Sequence, residues 1–294
     1  MKISVVCTLR NEENNIESLI KDLINQIKKP NEIIFIDDDS RDKTWEILNK
    51  YARKYKEIRI FKVSNYNISK NRNFGISKSK GDFILTIDGG CSIRKDYLDS
   101  LIRCLKEKNN KEFFGAITKI PYTNNFEHCY SLLLERTPSL NSLPKGHAFF
   151  FKKKLWKDIK GFNENLETAE DTEFIIKAKR INQPPVICSN AIVYWKPRRN
   201  LREIFTQFYR YGKGDRKAFE LKNLPIKSKI NLLITIIFPL SILHALYTSL
   251  KMLLKTKKIS SFCIGFIMDL TKIYAYSWGL ILNNLKYNPS QLSL

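Results

Sequence analysis

Three carboxylates in a row close an apolar run in Ile34-Phe35-Ile36-Asp37-Asp38-Asp39, and they repel one another unless a cation or hydrogen-bond donors gather there. A second apolar run, Phe83-Ile84-Leu85-Thr86-Ile87, ends in Asp88. It follows Lys70-Asn71-Arg72-Asn73, whose cationic and amide groups suit phosphates or a sugar. A third acidic pair, Glu170-Asp171, opens the helical pattern Thr172–Arg180. Acids there favour the helix dipole, and a carboxylate in that place can also act as a general base.

These residues need a scaffold. Strands are predicted over Lys2–Thr8, Glu32–Ile36, Ile58–Val63 and Phe83–Ile87. Between them, Ile16, Leu19, Ile20, Leu23, Ile24 and Ile27 recur at helical spacing, and Trp45–Tyr51 does so less cleanly, with Asp42 placed to cap it. Strand–helix–strand alternation implies an open, doubly wound parallel sheet, in which ligands bind beyond the carboxyl ends of the strands. The acidic clusters lie at those ends. From 110 to 224 the runs Phe113–Ile117, His147–Phe151, Val186–Cys188 and Ala191–Trp195, with helices over Leu155–Lys160 and Thr172–Arg180, read as the second half of the same domain.

The chain has 294 residues, 43% hydrophobic and 12% aromatic, which excludes a disordered chain or a small disulfide-stapled module. Six cysteines without a C-x-x-C pair read as reduced cytosolic thiols. The formal charge of +22 calls for an anionic partner: nucleic acid, phosphate-rich substrate or acidic lipid. No phosphate-loop, zinc-protease, hydrolase-elbow or nucleic-acid motif is present. Ile230–Leu250 is a 21-residue uncharged run flanked by Lys227, Lys229, Lys251 and Lys255. As one helix it would be about 30 Å long, the thickness of a bilayer core, although Asn231, Pro239 and His244 weaken it. A second apolar stretch, Ile259–Leu285, carries Asp269 and Lys272 and could pair with the first or lie in the interface. The lysines between the two would face the cytoplasm.

The ordered motifs resemble family 2 glycosyltransferases, whose nucleotide-sugar-binding fold is called GT-A. The opening SVVCTLRNEENNI is similar to that family's first strand with its Asn-Glu, here Asn11 and Glu12. IDDDSRDKT resembles its V-D-D-G-S segment, and NRNFG leading to ILTIDGG resembles its Arg-Asn-x-Gly helix and D-x-D strand. The resemblance covers roughly 2–215. It implies an α/β fold of the GT-A type, a Rossmann-like open sheet over residues 1–225 with 1–110 as the donor half and 111–225 as the acceptor half. A hydrophobic helical tail over 226–294, transmembrane or interfacial, would follow. It also implies that Asp38 meets the base, Asp37 supports that loop, Arg72 serves the donor, and Asp88 lies near ribose and metal-diphosphate. Lys160–Glu164 and Glu170-Asp171 are similar to the family's Gly-Gly-Phe-Asp-Glu and Glu-Asp segments, which makes Asp171 the base of an inverting single displacement, beside Glu170. Gln207, Arg210 and Tyr211 resemble a Gln-x-x-Arg-Trp element facing acceptor and diphosphate; a basic amphipathic helix on anionic lipid is the other reading of that stretch.

One position departs from the family. Where the D-x-D motif ends in a metal-binding Asp, this chain has Gly90, so Mg²⁺ or Mn²⁺ would rest on Asp88 alone or with a neighbouring carboxylate. The function implied is transfer of a sugar from a UDP- or GDP-sugar to a lipid-linked or polysaccharide acceptor at the cytoplasmic face of the cell membrane. The alternatives are a degenerate sugar-nucleotide binder, a nucleotidyltransferase on a similar sheet, and a nucleic-acid binder drawn by charge alone. His147 is assigned no role.

Overall fold

All seven residues of β1 (Ile3–Leu9) are buried, as is expected of a central strand covered on both faces. The computed structural model describes residues 1–64, 67–108, 111–135, 146–219 and 226–282. After β1 the chain runs through α1 (Ile16–Ile24), β2 (Glu32–Asp38), α2 (Thr44–Lys54), β3 (Ile58–Val63), α3 (Ile68–Lys78) and β4 (Phe83–Asp88). It continues through β5 (Cys91–Ile93), α4 (Tyr97–Glu107), β6 (Phe113–Lys119), α5 (Asn125–Leu134), β7 (Ala148–Lys152), α6 (Lys153–Asp158), α7 (Glu170–Arg180) and β8 (Val186–Trp195). Four helices follow: α8 (Leu201–Phe219), α9 (Ile226–Ile236), α10 (Phe238–Thr256) and α11 (Ile259–Ile281).

The chain divides into two compact units, one of residues 1–120 with 138–196, the other of 121–137 with 197–294. The division falls after residue 196, ahead of the boundary anticipated at 225, which itself lies outside the described residues.

The first unit holds one eight-stranded sheet in the order β3-β2-β1-β4-β7-β6-β8-β5. Strands β1 to β4 pair in parallel, as their alternation with helices predicts. The wholly parallel sheet does not extend further. β7 runs antiparallel to both β4 and β6, and β5 antiparallel to β8. The runs Val186–Cys188 and Ala191–Trp195 are one strand, with an irregularity opposite Ala116/Ile117 that accounts for the polar interruption between them. Because β2 lies on one side of β1 and β4 on the other, the chain reverses its winding beside β1, the crevice where open α/β sheets take ligands.

Beneath that crevice the core is aromatic. Phe174 on α7 is fully buried against the rings of Phe113, Phe151 and Phe162, with centroids 4.3–5.5 Å away. Losing a ring so placed costs about 3–5 kcal/mol, so Phe174 fixes where α7 begins. Gly75 lets α3 lie directly on the sheet, since a Cβ there would stand 2.4 Å from Val6 Cγ1.

The thiols are not all reduced. Cys104 on α4 and Cys188 on β8 form a disulfide, leaving Cys7, Cys91, Cys129 and Cys263 free. Sequence spacing could not reveal the pair because its members are 84 residues apart and meet only where α4 packs on β8.

The second unit is helical, and of the two readings of its apolar tail, transmembrane or interfacial, it does not bear out a single span over Ile230–Leu250. The run breaks at Ile237, and α10 restarts with Pro239 in its first turn, a position where proline's missing N–H costs nothing. Among the described residues no helix is long and apolar enough to cross a membrane. The second stretch forms α11, packed against α8 and α10; its residues 283–285 and Lys286 lie outside the described residues.

Candidate active site

Asp37 and Asp88 flank the end of β1: Leu9 is in register with Asp37, and Thr8 with Asp88. The loops after β1 and β2 are locked together by the Asn-Glu segment. The Asn11 N–H donates to Ser40 Oγ (2.8 Å), its side-chain oxygen accepts from the Arg41 N–H (2.9 Å), and the Glu12 N–H donates to Thr44 Oγ1 (2.8 Å). Asn11 and Asp39 both take left-handed backbone, with φ of 54° and 51°, which Asn and Asp tolerate better than most residues. The N-cap of α2 is Lys43 and not Asp42 as anticipated; Asp42, one residue earlier, still accepts from the Thr44 N–H at 3.0 Å.

The Asp37 side chain is buried and accepts from Ser40 Oγ, while its Oδ2 has no hydrogen-bond partner among the described residues. Asp38 faces Arg10 at 4.0 Å, and its buried Oδ1 has no hydrogen-bond partner among the described residues. Burial pushes the Asp37 carboxyl above its ordinary range. Unsatisfied buried acceptors cost about 1–3 kcal/mol each, so this loop presents acceptors suited to a ligand's donors.

Arg72 sits at the centre. Its side chain is 3% exposed, and Nη1 donates to Glu170 Oε1 at 2.6 Å while Nη2 donates to Asp88 Oδ1 at 2.9 Å and to the Gly146 carbonyl at 3.3 Å. The guanidinium also stands 5.3 Å from the Phe162 ring centroid. Burial opposes its charge, but Asp88 and Glu170 outweigh that and hold it firmly protonated. The next residue, Asn73, binds the turn before α7. Its oxygen accepts from the Trp156 indole and the Phe162 N–H, and its amide donates to the Phe162 carbonyl. Residues 72 and 73 of one helix thus set both the end of β4 and the loop before α7.

Asp88 is a quarter exposed, and its Oδ2 lies 3.3 Å from His147 Nδ1. Burial raises its carboxyl, yet Arg72 and His147 hold it below the usual range overall. His147 stacks on Trp195 with centroids 4.0 Å apart. Sequence reasoning assigned His147 no role; its only signal was its place at the start of a strand.

Glu170 and Asp171 open α7 behind Ala169, whose φ of 66° is strained for a residue with a Cβ. Glu170 is buried, and its carboxyl is pushed up to about 7: burial and the neighbouring Asp171 outweigh Arg72. Asp171 turns Oδ1 back to the Thr172 N–H at 2.6 Å. Its Oδ2 lies against Gly146, where an added Cβ would come within 2.2 Å.

At Gly90 a Cβ would lie 3.3 Å from Glu12 Oε1, so the Glu12 carboxylate stands beside the position the D-x-D motif leaves vacant. Among the described residues no group of three His, Cys, Asp or Glu side chains forms a metal cage. The donor set Asp88 plus Glu12 fits the looser manner of Mg²⁺ or Mn²⁺, which take one or two carboxylates and complete their shell with water and substrate phosphates.

In the second unit, Gln207 is a buried hub. Its Oε1 accepts from Tyr130 OH at 2.7 Å and Arg198 Nε at 3.0 Å, and its amide donates to Tyr211 OH at 3.1 Å. Arg210 is exposed on α8.

The chain is similar to known proteins in sequence and in fold. The chain is 38% identical over 109 residues to a cholesterol galactosyltransferase of Borreliella burgdorferi, covering 37% of this chain and 30% of that protein. It is 30% identical over 199 residues to a poly(ribitol-phosphate) beta-glucosyltransferase of Bacillus spizizenii, covering 62% of this chain and 31% of that one. The matched part is therefore about a third of either relative's length. The crystal structure of S. aureus TarS 1-349 in complex with UDP-GlcNAc superposes with a TM-score of 0.55 at 18% identity, over 96% of this chain and 91% of that one, which establishes a shared fold. The Glycosyl transferase family 2 model matches residues 4–164, more than half the chain, and this protein belongs to that family.

Proposed function

We propose that this protein is an inverting glycosyltransferase that moves a sugar from a UDP- or GDP-sugar to a hydroxyl of a lipid-linked or polysaccharide acceptor. The observation that carries this is the Arg72 bridge, which ties Asp88 at a strand's carboxyl end to Glu170 at the start of α7 and so sets Asp171 beside the donor-side acids. The names of the relatives, which concern transfer of galactose or glucose, agree with a sugar donor.

In the proposed mechanism the unpartnered oxygens of Asp37 and Asp38 accept from the nucleotide, and Asp88 holds the ribose side. The Asp171 Oδ2 takes the proton of the acceptor hydroxyl as its oxygen attacks the anomeric carbon from the face opposite the leaving nucleoside diphosphate. One displacement inverts the centre, so no second nucleophilic carboxylate is required. Arg72, on the donor side, and Glu170, beside the base, keep that arrangement in place. Arg210 and Tyr211 would serve the diphosphate and the acceptor. Asp88 and Glu12 would hold Mg²⁺ or Mn²⁺, which when bound neutralises charge on the leaving diphosphate. The working place would be the cytoplasmic face of the cell membrane, whose anionic leaflet suits the lysines beside the apolar helices.

A panel of nucleotide sugars assayed for released product tests this. Release of nucleoside diphosphate, with a product of inverted anomeric configuration, is the expected result. Release of pyrophosphate, or none with any donor, overturns it.

A further inference from the structure

Helix α10 is built inside out. Its buried stripe is Ser241, Ala245, Ser249 and Met252, and its exposed stripe is Leu243, Tyr247, Leu250 and Leu254. At 3.6 residues per turn these two sets lie on opposite sides of the helix. A helix on a water-facing surface places its large apolar residues inward, the reverse of this order.

Elsewhere in the second unit large apolar side chains are buried too, Ile273 and Leu280 on α11 among them, but glycines bring the helices close. Gly265 on α11 faces α10 so closely that a Cβ would meet Met252 Sδ at 2.6 Å. Gly212 on α8 and Gly279 on α11 bring those helices backbone to backbone, with added Cβ atoms 1.9 Å and 2.1 Å from facing carbonyl oxygens. The interior carries polar ties. Asp269, fully buried, accepts from Lys272 Nζ at 2.6 Å and contacts His244 Nδ1 at 2.6 Å, and Ser241 bonds Tyr274 OH at 3.0 Å. Small residues and hydrogen bonds inside with Leu, Ile and Phe outside are the packing of helices that face hydrocarbon. Among the described residues, fifteen of the twenty exposed large apolar side chains follow residue 226, so the apolar surface is concentrated here.

Length and charge decide how such a face meets lipid. The uncharged part of α10, from Phe238 to Leu250, is about 20 Å long, against a hydrocarbon core of about 30 Å. Lys251 and Lys255 flank the apolar stripe, and Lys257 and Lys258 follow in the turn to α11, all exposed. Lysines at the rim of an apolar helix face complement the phosphates of an anionic bilayer.

We infer that the exposed face of α10, centred on Leu243, Tyr247, Leu250 and Leu254, seats in the plane of an anionic phospholipid surface, with Lys251, Lys257 and Lys258 on the headgroups, and does not cross the bilayer. The occupant is lipid and not a second copy of the chain: a copy would present the same lysines, whereas lipid phosphate neutralises them. The inference stands apart from the sugar-transfer chemistry, and so does its test.

The full chain is sedimented with vesicles of phosphatidylglycerol and phosphatidylcholine, and with phosphatidylcholine alone, at low and high salt. Thermal unfolding without lipid serves as the control for folding. Binding to the anionic vesicles is expected, weakened by salt. It falls about tenfold or more in Leu243→Asp/Leu254→Asp and by a smaller factor in Lys251→Ser/Lys257→Ser/Lys258→Ser, with the unfolding midpoint close to wild type. A wild type that binds neither vesicle, a double Leu variant that binds as wild type does, or a lipid-free dimer that the double Leu variant abolishes would each overturn it.

Discussion

Arg72 and Glu170 are 98 residues apart in sequence and joined by a hydrogen bond of 2.6 Å between side chains that are almost wholly buried. The same guanidinium holds Asp88, so one cation keeps an acid at the end of β4 and an acid at the start of α7 at a fixed separation. Arg suits this work because its planar fork serves two carboxylates at once, which a lysine ammonium does so less specifically.

The raised carboxyl of Glu170 gives a pH signature. Folded, it titrates at about 7, against an ordinary 4.5, so between those values the folded chain binds more protons than the unfolded one. Stability from this group is complete below pH 4.5 and declines as pH rises to 7. Wild type should therefore lose stability relative to Glu170→Gln across that window and run parallel to it above 7. Thermal midpoints measured from pH 4 to 8 check this; a difference constant with pH contradicts it.

Gly146 leaves no room for a side chain beside Asp171. Gly146→Ala should displace the carboxylate and cut turnover about a hundredfold, since displacements on the order of 1 Å cost that much. Donor affinity, read by titration calorimetry, should stay near wild type. Turnover equal to wild type would refute the placement.

Glu12 beside Gly90 makes a separable prediction about the metal. Glu12→Gln should raise the Mn²⁺ concentration needed for donor binding by about tenfold, and adding Gly90→Asp should recover much of the loss. Binding of the nucleotide donor monitored by calorimetry is the readout. A metal midpoint unmoved by Glu12→Gln would exclude this carboxylate.

The Cys104–Cys188 disulfide leaves four free thiols. Protein denatured without reductant should titrate four, and six only after reduction. Six before reduction would show the bond absent.

Much of this arrangement is legible in the sequence because it rests on local signals. The apolar runs ending in Asp37 and Asp88 place the strand ends, and Glu170-Asp171 before Thr172 places the start of α7. The Arg72 bridge, the antiparallel return of β7 and the Cys104–Cys188 pair depend on residues brought together only by the finished sheet. His147 was given no role because its partners, Asp88 and Trp195, come from distant strands. Over Ile230–Leu250 the weakening already visible at Pro239 is decisive, because the break at Ile237 just ahead of it outweighs hydropathy.

The central claim is that Asp171 removes the acceptor proton, and Asp171→Asn tests it most directly. Donor binding by calorimetry and transfer by product release are measured on the same preparation. Loss of transfer by about a thousandfold with donor affinity nearly intact is the predicted result. Turnover unchanged in that variant would contradict it.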